Sequence, residues 1–207
     1  MALIFESVNK IVFDARQDKR WKTVLTEASA VVLPGQVMAV MGPSGSGKST
    51  LLQILGGRNL KDMSGKVSLA GKLFCRSMRR RIAFILQDDV FLPSKVLTVR
   101  DHLIFAASVK MNGQYEQTVD ERVNDVIKLL NLQSCADTPL LLVSGGERKR
   151  TSIGCEIIPK TSLVLVDEGT AHFNVDPIQL ASIRPYGSSL IPFPVYRIPL
   201  QLCFASI

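Results

Sequence analysis

The run Gly42-Pro43-Ser44-Gly45-Ser46-Gly47-Lys48-Ser49-Thr50 satisfies G-x-x-x-x-G-K-[ST] at every fixed position. It constrains the fold because the pattern needs a strand before it and a helix after it. Both are readable: Gln36 to Met41 reads as a short buried strand, and Leu51 to Leu55 continues as an apolar helix. The residue types share one reason. Gly42, Gly45 and Gly47 let the chain turn tightly and aim successive N–H groups, together with a helix N-terminus, at a concavity suited to phosphate. In such a loop Lys48 reaches the β and γ phosphates of a nucleoside triphosphate, and the Ser49 hydroxyl is a Mg²⁺ ligand. Pro43, Ser44, Ser46 and Thr50 complete the candidate binding loop. A Gly/Ser-rich surface turn ahead of a helix is the competing reading, and it does not account for Lys-Ser in register after an apolar strand.

At 207 residues the chain suits one domain, with room for an appendage. The net charge of +7 would suit nucleic acid or an anionic membrane face. The basic runs, however, are Arg76 to Arg81 and Arg148-Lys149-Arg150, and neither is interleaved with stacking aromatics. Nucleic acid is therefore not the expected partner, and both runs read as solvated or partner-facing surface. Cys75, Cys135, Cys155 and Cys203 show no C-x-x-C spacing, which points away from zinc and from a disulfide framework and fits a reducing compartment. Met1 to Glu6 has no basic region followed by a long apolar core, so no secretory signal is read there.

The beginning is β-rich. Leu3 to Val8 and Ile11 to Phe13 read as short strands, Asp14 to Lys22 as a polar connection, and Val31 to Leu33 leads to the turn signal Pro34-Gly35. Lys66 to Leu69 and Ile82 to Leu86 give two further strands. From Leu97 the period changes: Val99, Leu103, Ile104 and Ala107 keep helical spacing, as do Val119, Val123, Val126, Ile127 and Leu130. His102 falls in the first of these helices and reads as a partly buried or surface side chain. Ser162 to Val166 is a continuous apolar run, as in a parallel strand buried on both faces. The expected fold class is α/β, a P-loop core with an antiparallel β portion and a helical subdomain at about 93–142. Residues 1–174 form the expected nucleotide-binding domain, and 175–207 a Pro-rich tail without a clear domain. Three prolines and Arg197 within Leu190 to Ile207 argue against a spanning helix.

Val143-Ser144-Gly145-Gly146-Glu147-Arg148-Lys149-Arg150 lies between the P-loop and an apolar strand that ends in Asp167-Glu168. This run resembles the signature of ATP-binding cassette (ABC) proteins. Ile85-Leu86-Gln87-Asp88-Asp89 is similar to the family's glutamine loop, and with Leu97-Thr98-Val99-Arg100 it looks like the G (white/pigment) subfamily of ABC transporters. The resemblance implies an ATPase that uses ATP and Mg²⁺, with two cassettes meeting head to tail. Ser144, Gly145 and Gly146 would then face the γ-phosphate of a nucleotide held by the partner cassette. Asp167 would hold the Mg²⁺ shell, Glu168 would be the general base, and Gln87 would join the metal or the water. The motif also reads as an N-cap with a capping box, Ser144 with Glu147, and the two readings are compatible.

The pattern departs after Glu168. The family continues Pro-Thr-Ser-Gly-Leu-Asp, whereas this chain has Gly169-Thr170-Ala171-His172-Phe173-Asn174, and no histidine follows His172. Adenine stacking would fall near Lys10 or Ile11, with Phe13 and Trp21 the nearby aromatics. The resemblance implies a second cassette, identical or different, and a transmembrane domain in a full-length form, placing the cassette on the cytoplasmic face of a membrane. A catalytically weak nucleotide-binding partner, and a soluble ABC ATPase of nucleic-acid processing, stay open as alternatives.

Overall fold

The computed structural model describes residues 2–14, 20–86, 91–92, 95–111, 118–159, 161–167 and 196–199. In chain order its elements begin with β1 (Leu3–Asp14), β2 (Arg20–Val32), β3 (Met38–Met41), α1 (Lys48–Leu55), β4 (Met63–Leu69) and β5 (Lys72–Leu73). They continue with β6 (Ile82–Ile85), α2 (Val99–Lys110), α3 (Val119–Leu129), α4 (Gly145–Ile157), β7 (Leu163–Val166) and β8 (Tyr196–Pro199). The chain divides into two units, Met1–Arg79 with Ser189–Ile207, and Arg80–Ser188.

The first unit contains an antiparallel sheet in the order β2-β1-β4-β5. The two short strands expected at the start are one strand, β1, paired with β2 from Leu3↔Val32 to Asp14↔Arg20. The register shifts between Phe5 and Ile11, and Ser7 takes φ 47° there. A bulge interrupts the apolar alternation without ending the pairing, which is why the sequence reads as broken. The expected connection from Asp14 to Lys22 is likewise too long, since Arg20 to Lys22 already belong to β2. As an edge strand with Leu25 its one buried residue, β2 carries little of the alternation that marks a strand.

Strand β3 is shorter than expected, because Gln36 closes the Pro34-Gly35 turn instead. Its N–H donates to Leu33 O (3.1 Å), and its Oε1 accepts from Leu33 N (2.9 Å). The residues of β3 are half-buried or exposed rather than buried. Its one strand partner among the described residues is β8, in parallel from Met38↔Tyr196 to Met41↔Pro199. The tail thus supplies a strand that its prolines concealed. Helix α1 anchors the loop ahead of it by burying Leu51, Ile54 and Leu55.

In the second unit, β6 is buried at all four positions and pairs in parallel with β7, from Ile82↔Leu163 to Ile85↔Val166. Within β7 only Leu165 is buried and its neighbours are half-buried, so the expectation of burial on both faces holds in part. Among the described residues β6 is the sole strand partner of β7. Helices α2 and α3 each begin with a capping box, Thr98 with Asp101 and Thr118 with Glu121. On α3, Val123, Val126 and Ile127 are buried while Asp120, Glu121 and Asn124 are exposed, the division expected of an amphipathic helix. Gly154 lets α4 approach both neighbours: a Cβ there would lie 2.8 Å from Leu103 Cδ2 and 3.1 Å from Val126 Cγ1. Arg122 on α3 satisfies the end of α4, donating to Ile158 O (2.7 Å) and Ile157 O (3.0 Å).

Two readings of surface residues need correction. Arg76 to Arg81 is an exposed 3₁₀ turn, as a solvated run should be, but Lys149 is buried and Arg148 and Arg150 are half-buried. Helical spacing explains it, because Lys149 shares a face of α4 with Ile153 and Ile157. His102 is buried rather than partly exposed. Its Nδ1 lies 2.9 Å from Thr98 O, and its ring meets Phe91 edge-on at 5.5 Å. No helix of the described residues is long and apolar enough to cross a membrane.

Candidate functional site

The candidate loop joins β3 to α1 within the first unit. Gly42, Pro43, Ser44 and Gly45 are exposed, while Ser46, Gly47, Lys48, Ser49 and Thr50 are half-buried. The Ser46 N–H donates to Pro43 O (3.2 Å), closing a tight turn. Gly45 and Gly47 take φ of 79° and 90°, the left-handed region in which a side chain is strained. Lys48 folds over this turn, and its Nζ donates to Gly42 O (2.9 Å) and Pro43 O (2.7 Å). The ammonium is therefore held at the mouth of the loop rather than extended away from it.

A phosphate fits what the loop offers. Helices α2, α3 and α4 each place a hydroxyl on a first-turn N–H group and a first-turn carboxylate on the N–H of the capping residue. Helix α1 begins at Gly47 with no side-chain cap and no acidic residue in its first turn. The first N–H groups of a helix have no intrahelical partner, and the dipole favours negative charge there. Ser46 Oγ adds a buried hydroxyl without a partner among the described residues. An anion at this end would meet backbone donors and Lys48 together, with no carboxylate of the first turn opposing it.

The signature residues lie in the second unit. Ser144 caps α4: its Oγ accepts from Glu147 N (3.3 Å) and donates to Glu147 Oε2 (2.6 Å), and Ser144 N donates to the same oxygen (2.8 Å). Gly145 is exposed, Gly146 is half-buried, and both open the helix. Bonds from Ser144, first through its side chain and then its backbone, hold the Glu147 carboxyl below its ordinary value of 4.5. A carboxyl lowered in the folded state stabilises it fully above the unfolded pKa, and that contribution fades as pH falls through the folded one. Ser144→Ala should thus destabilise the chain by about 1 kcal/mol at neutral pH. The deficit should shrink as pH falls through the lowered Glu147 value; urea melts at neutral and acid pH check this.

Asp167 is the first residue after β7, half-buried, and its N–H donates to Ile85 O (3.0 Å) at the end of β6. Beside it, Leu86 O accepts from Lys149 Nζ on the signature helix (2.8 Å). The end of β6, the approach to Gln87, is therefore joined to Asp167 and to α4. Gln87 and Glu168 themselves lie outside the described residues. Within its basic run Lys149 reads as surface, although its spacing from Ile153 places it on an inward face of α4. Of the expected stacking candidates, Phe13 and Trp21 are register partners across β1 and β2, with rings edge-on at 5.4 Å and 47% and 62% exposed. Lys10 is buried and donates to Asn59 Oδ1 (2.9 Å) and to Lys61 O.

Comparison with known proteins agrees with these motifs. The family model described as ABC transporter matches residues 25–171. ABC transporter G family member 22 of Arabidopsis thaliana is 41% identical over 169 residues, covering 78% of this chain and 22% of the relative. ABC transporter G family member 14 of the same plant is 43% identical over 156 residues, 72% of this chain and 24% of the relative. ABC transporter ATP-binding protein/permease wht-3 of Caenorhabditis elegans is 35% identical over 173 residues, 80% and 28% respectively. This chain thus spans about a quarter of the length of the curated relatives it matches. With the loop, the capped signature helix and a match covering most of the sequence, the chain belongs to the ABC transporter family, whose cassettes bind ATP and are ATPases.

Proposed function

We propose that this chain is the ATP-binding cassette of a G-type transporter, binding and hydrolysing Mg-ATP to drive transport across a membrane. The observation that carries it is the α1 N-terminus, the one of the four described α-helices left without a side-chain cap or an acid, with Lys48 held at its mouth. There the loop amides and Lys48 bind the phosphates, and Lys48 moves from the two loop carbonyls to phosphate oxygens. The resemblance assigns Ser49, Asp167 and Gln87 to Mg²⁺, which when bound would neutralise charge developing on the phosphates. Glu168 orients and deprotonates the attacking water. Ser144, Gly145 and Gly146 engage a nucleotide bound to a second cassette, identical or different, and a transmembrane domain places the cassette at the cytoplasmic face. The relatives' names favour this reading over a nucleic-acid ATPase.

Titrating Mg-ATP into the full chain while following phosphate release tests the reading. Saturable binding of one nucleotide per chain, with release above the uncatalysed rate, is expected. A chain that binds no Mg-ATP at millimolar concentration overturns the proposal. Binding without release would restrict it to the nucleotide-holding half.

A further inference from the structure

We infer that Lys149 is a positioning residue that ties the signature helix to the start of the Gln87 segment, so that these two parts of the site share one register. The inference rests on the reading of this chain as an ATPase cassette. Lys149 is 9% exposed, so its ammonium has been taken largely out of water, which is unfavourable unless polar partners replace the lost hydration. Its Nζ donates to Leu86 O at 2.8 Å, a charge-assisted bond to the carbonyl immediately before Gln87. One residue earlier, Ile85 O accepts from the N–H of Asp167, which follows β7. Successive carbonyls at the end of β6 are thereby bound by the two segments that also carry Asp167 and Ser144.

The helix makes this bond a strut rather than a loose tether. Lys149 lies within five residues of the Ser144 cap, inside the first turn and a half of α4. Farther along, α4 is fixed by Ile153 and Ile157 in the core and by Arg122 on its last carbonyls. The N-terminus of α4 therefore cannot shift without changing either its core packing or the Lys149 bond. A nucleotide pulling on Ser144 to Gly146 would load that bond, and through it the carbonyl preceding Gln87. Such a contact has the form of a physical coupling, two candidate site elements biased through the side chain of Lys149.

The test compares the full chain with Lys149→Met, which keeps a long apolar stem, and Lys149→Arg, which keeps a charged donor. Deuterium exchange in peptides spanning residues 82–92 should accelerate about tenfold in Lys149→Met, with α2 and α3 unchanged, and return toward wild type in Lys149→Arg. Under turnover, kcat for ATP should fall about tenfold in Lys149→Met at nearly unchanged KM. Unchanged exchange over 82–92, or acceleration spread equally over α2 and α3, overturns the inference. Exchange requires no nucleotide, so it decides the matter even where the ATPase reading fails. Should Lys149→Met not fold, Lys149→Leu, which likewise lacks a donor, allows the same comparison.

Discussion

Lys48→Ala should weaken Mg-ATP binding about a hundredfold or more. Removing one partner of a desolvated, hydrogen-bonded charge pair costs about 2–5 kcal/mol, and each 1.4 kcal/mol is about tenfold in affinity. Without nucleotide the Lys48 ammonium rests on Gly42 O and Pro43 O, both on exposed residues that water can reach. Loss of these bonds should therefore move the melting temperature of the ligand-free chain by only a few degrees. Thermal melts separate the two effects. Nucleotide at about a hundred times Kd should stabilise wild type by roughly 2.7 kcal/mol and leave Lys48→Ala near its ligand-free value. Equal stabilisation of both proteins would remove Lys48, and with it the loop, from the binding site.

What the sequence revealed and what it concealed follow from the range of the forces involved. The P-loop and the Ser144–Glu147 capping box are local: each needs only residues a few positions apart, and each is present in the structure as read. The β1 bulge and the length of β2 depend on a partner strand. Around Ser7 the register shifts, and along β2 most side chains face water, so the period-2 signal is lost where the pairing continues. Strand β8 is concealed for the same reason, since its place beside β3 is a long-range pairing within a proline-rich stretch.

The misreading of Lys149 has a different origin. A run of basic residues suggests solvent when read linearly, but on a helix only the outward positions of the run stay wet. The structure turns Lys149 inward beside Ile153 and leaves its neighbours half-buried. Of the acids expected after β7, Asp167 is placed through its backbone bond to Ile85, while Glu168 and Gln87 fall outside the described residues. Their proposed roles therefore rest on motif position.

Gly47→Ala should damage both stability and nucleotide binding, because β2 forms a wall behind the loop at that point. A Cβ on residue 47 would lie 2.9 Å from Leu25 Cδ2 and 2.9 Å from Val24 O, and the backbone there has φ 90°. Leu25 is fully buried and paired with Lys10 across β1, so neither the side chain nor the carbonyl beside it can retreat without disturbing the sheet. Overlap and left-handed strain together should cost about 2–4 kcal/mol. If the loop moves instead, the first N–H groups of α1 lose their aim, and Mg-ATP affinity falls with them. Gly45→Ala is the control, since a Cβ there meets nothing within 4 Å and only the strain at φ 79° remains, about 1–2 kcal/mol. Urea unfolding of the two variants should therefore rank Gly47→Ala clearly below Gly45→Ala. Equal stabilities would mean that β2 does not confine the loop, and that backbone conformation alone selects glycine at residue 47.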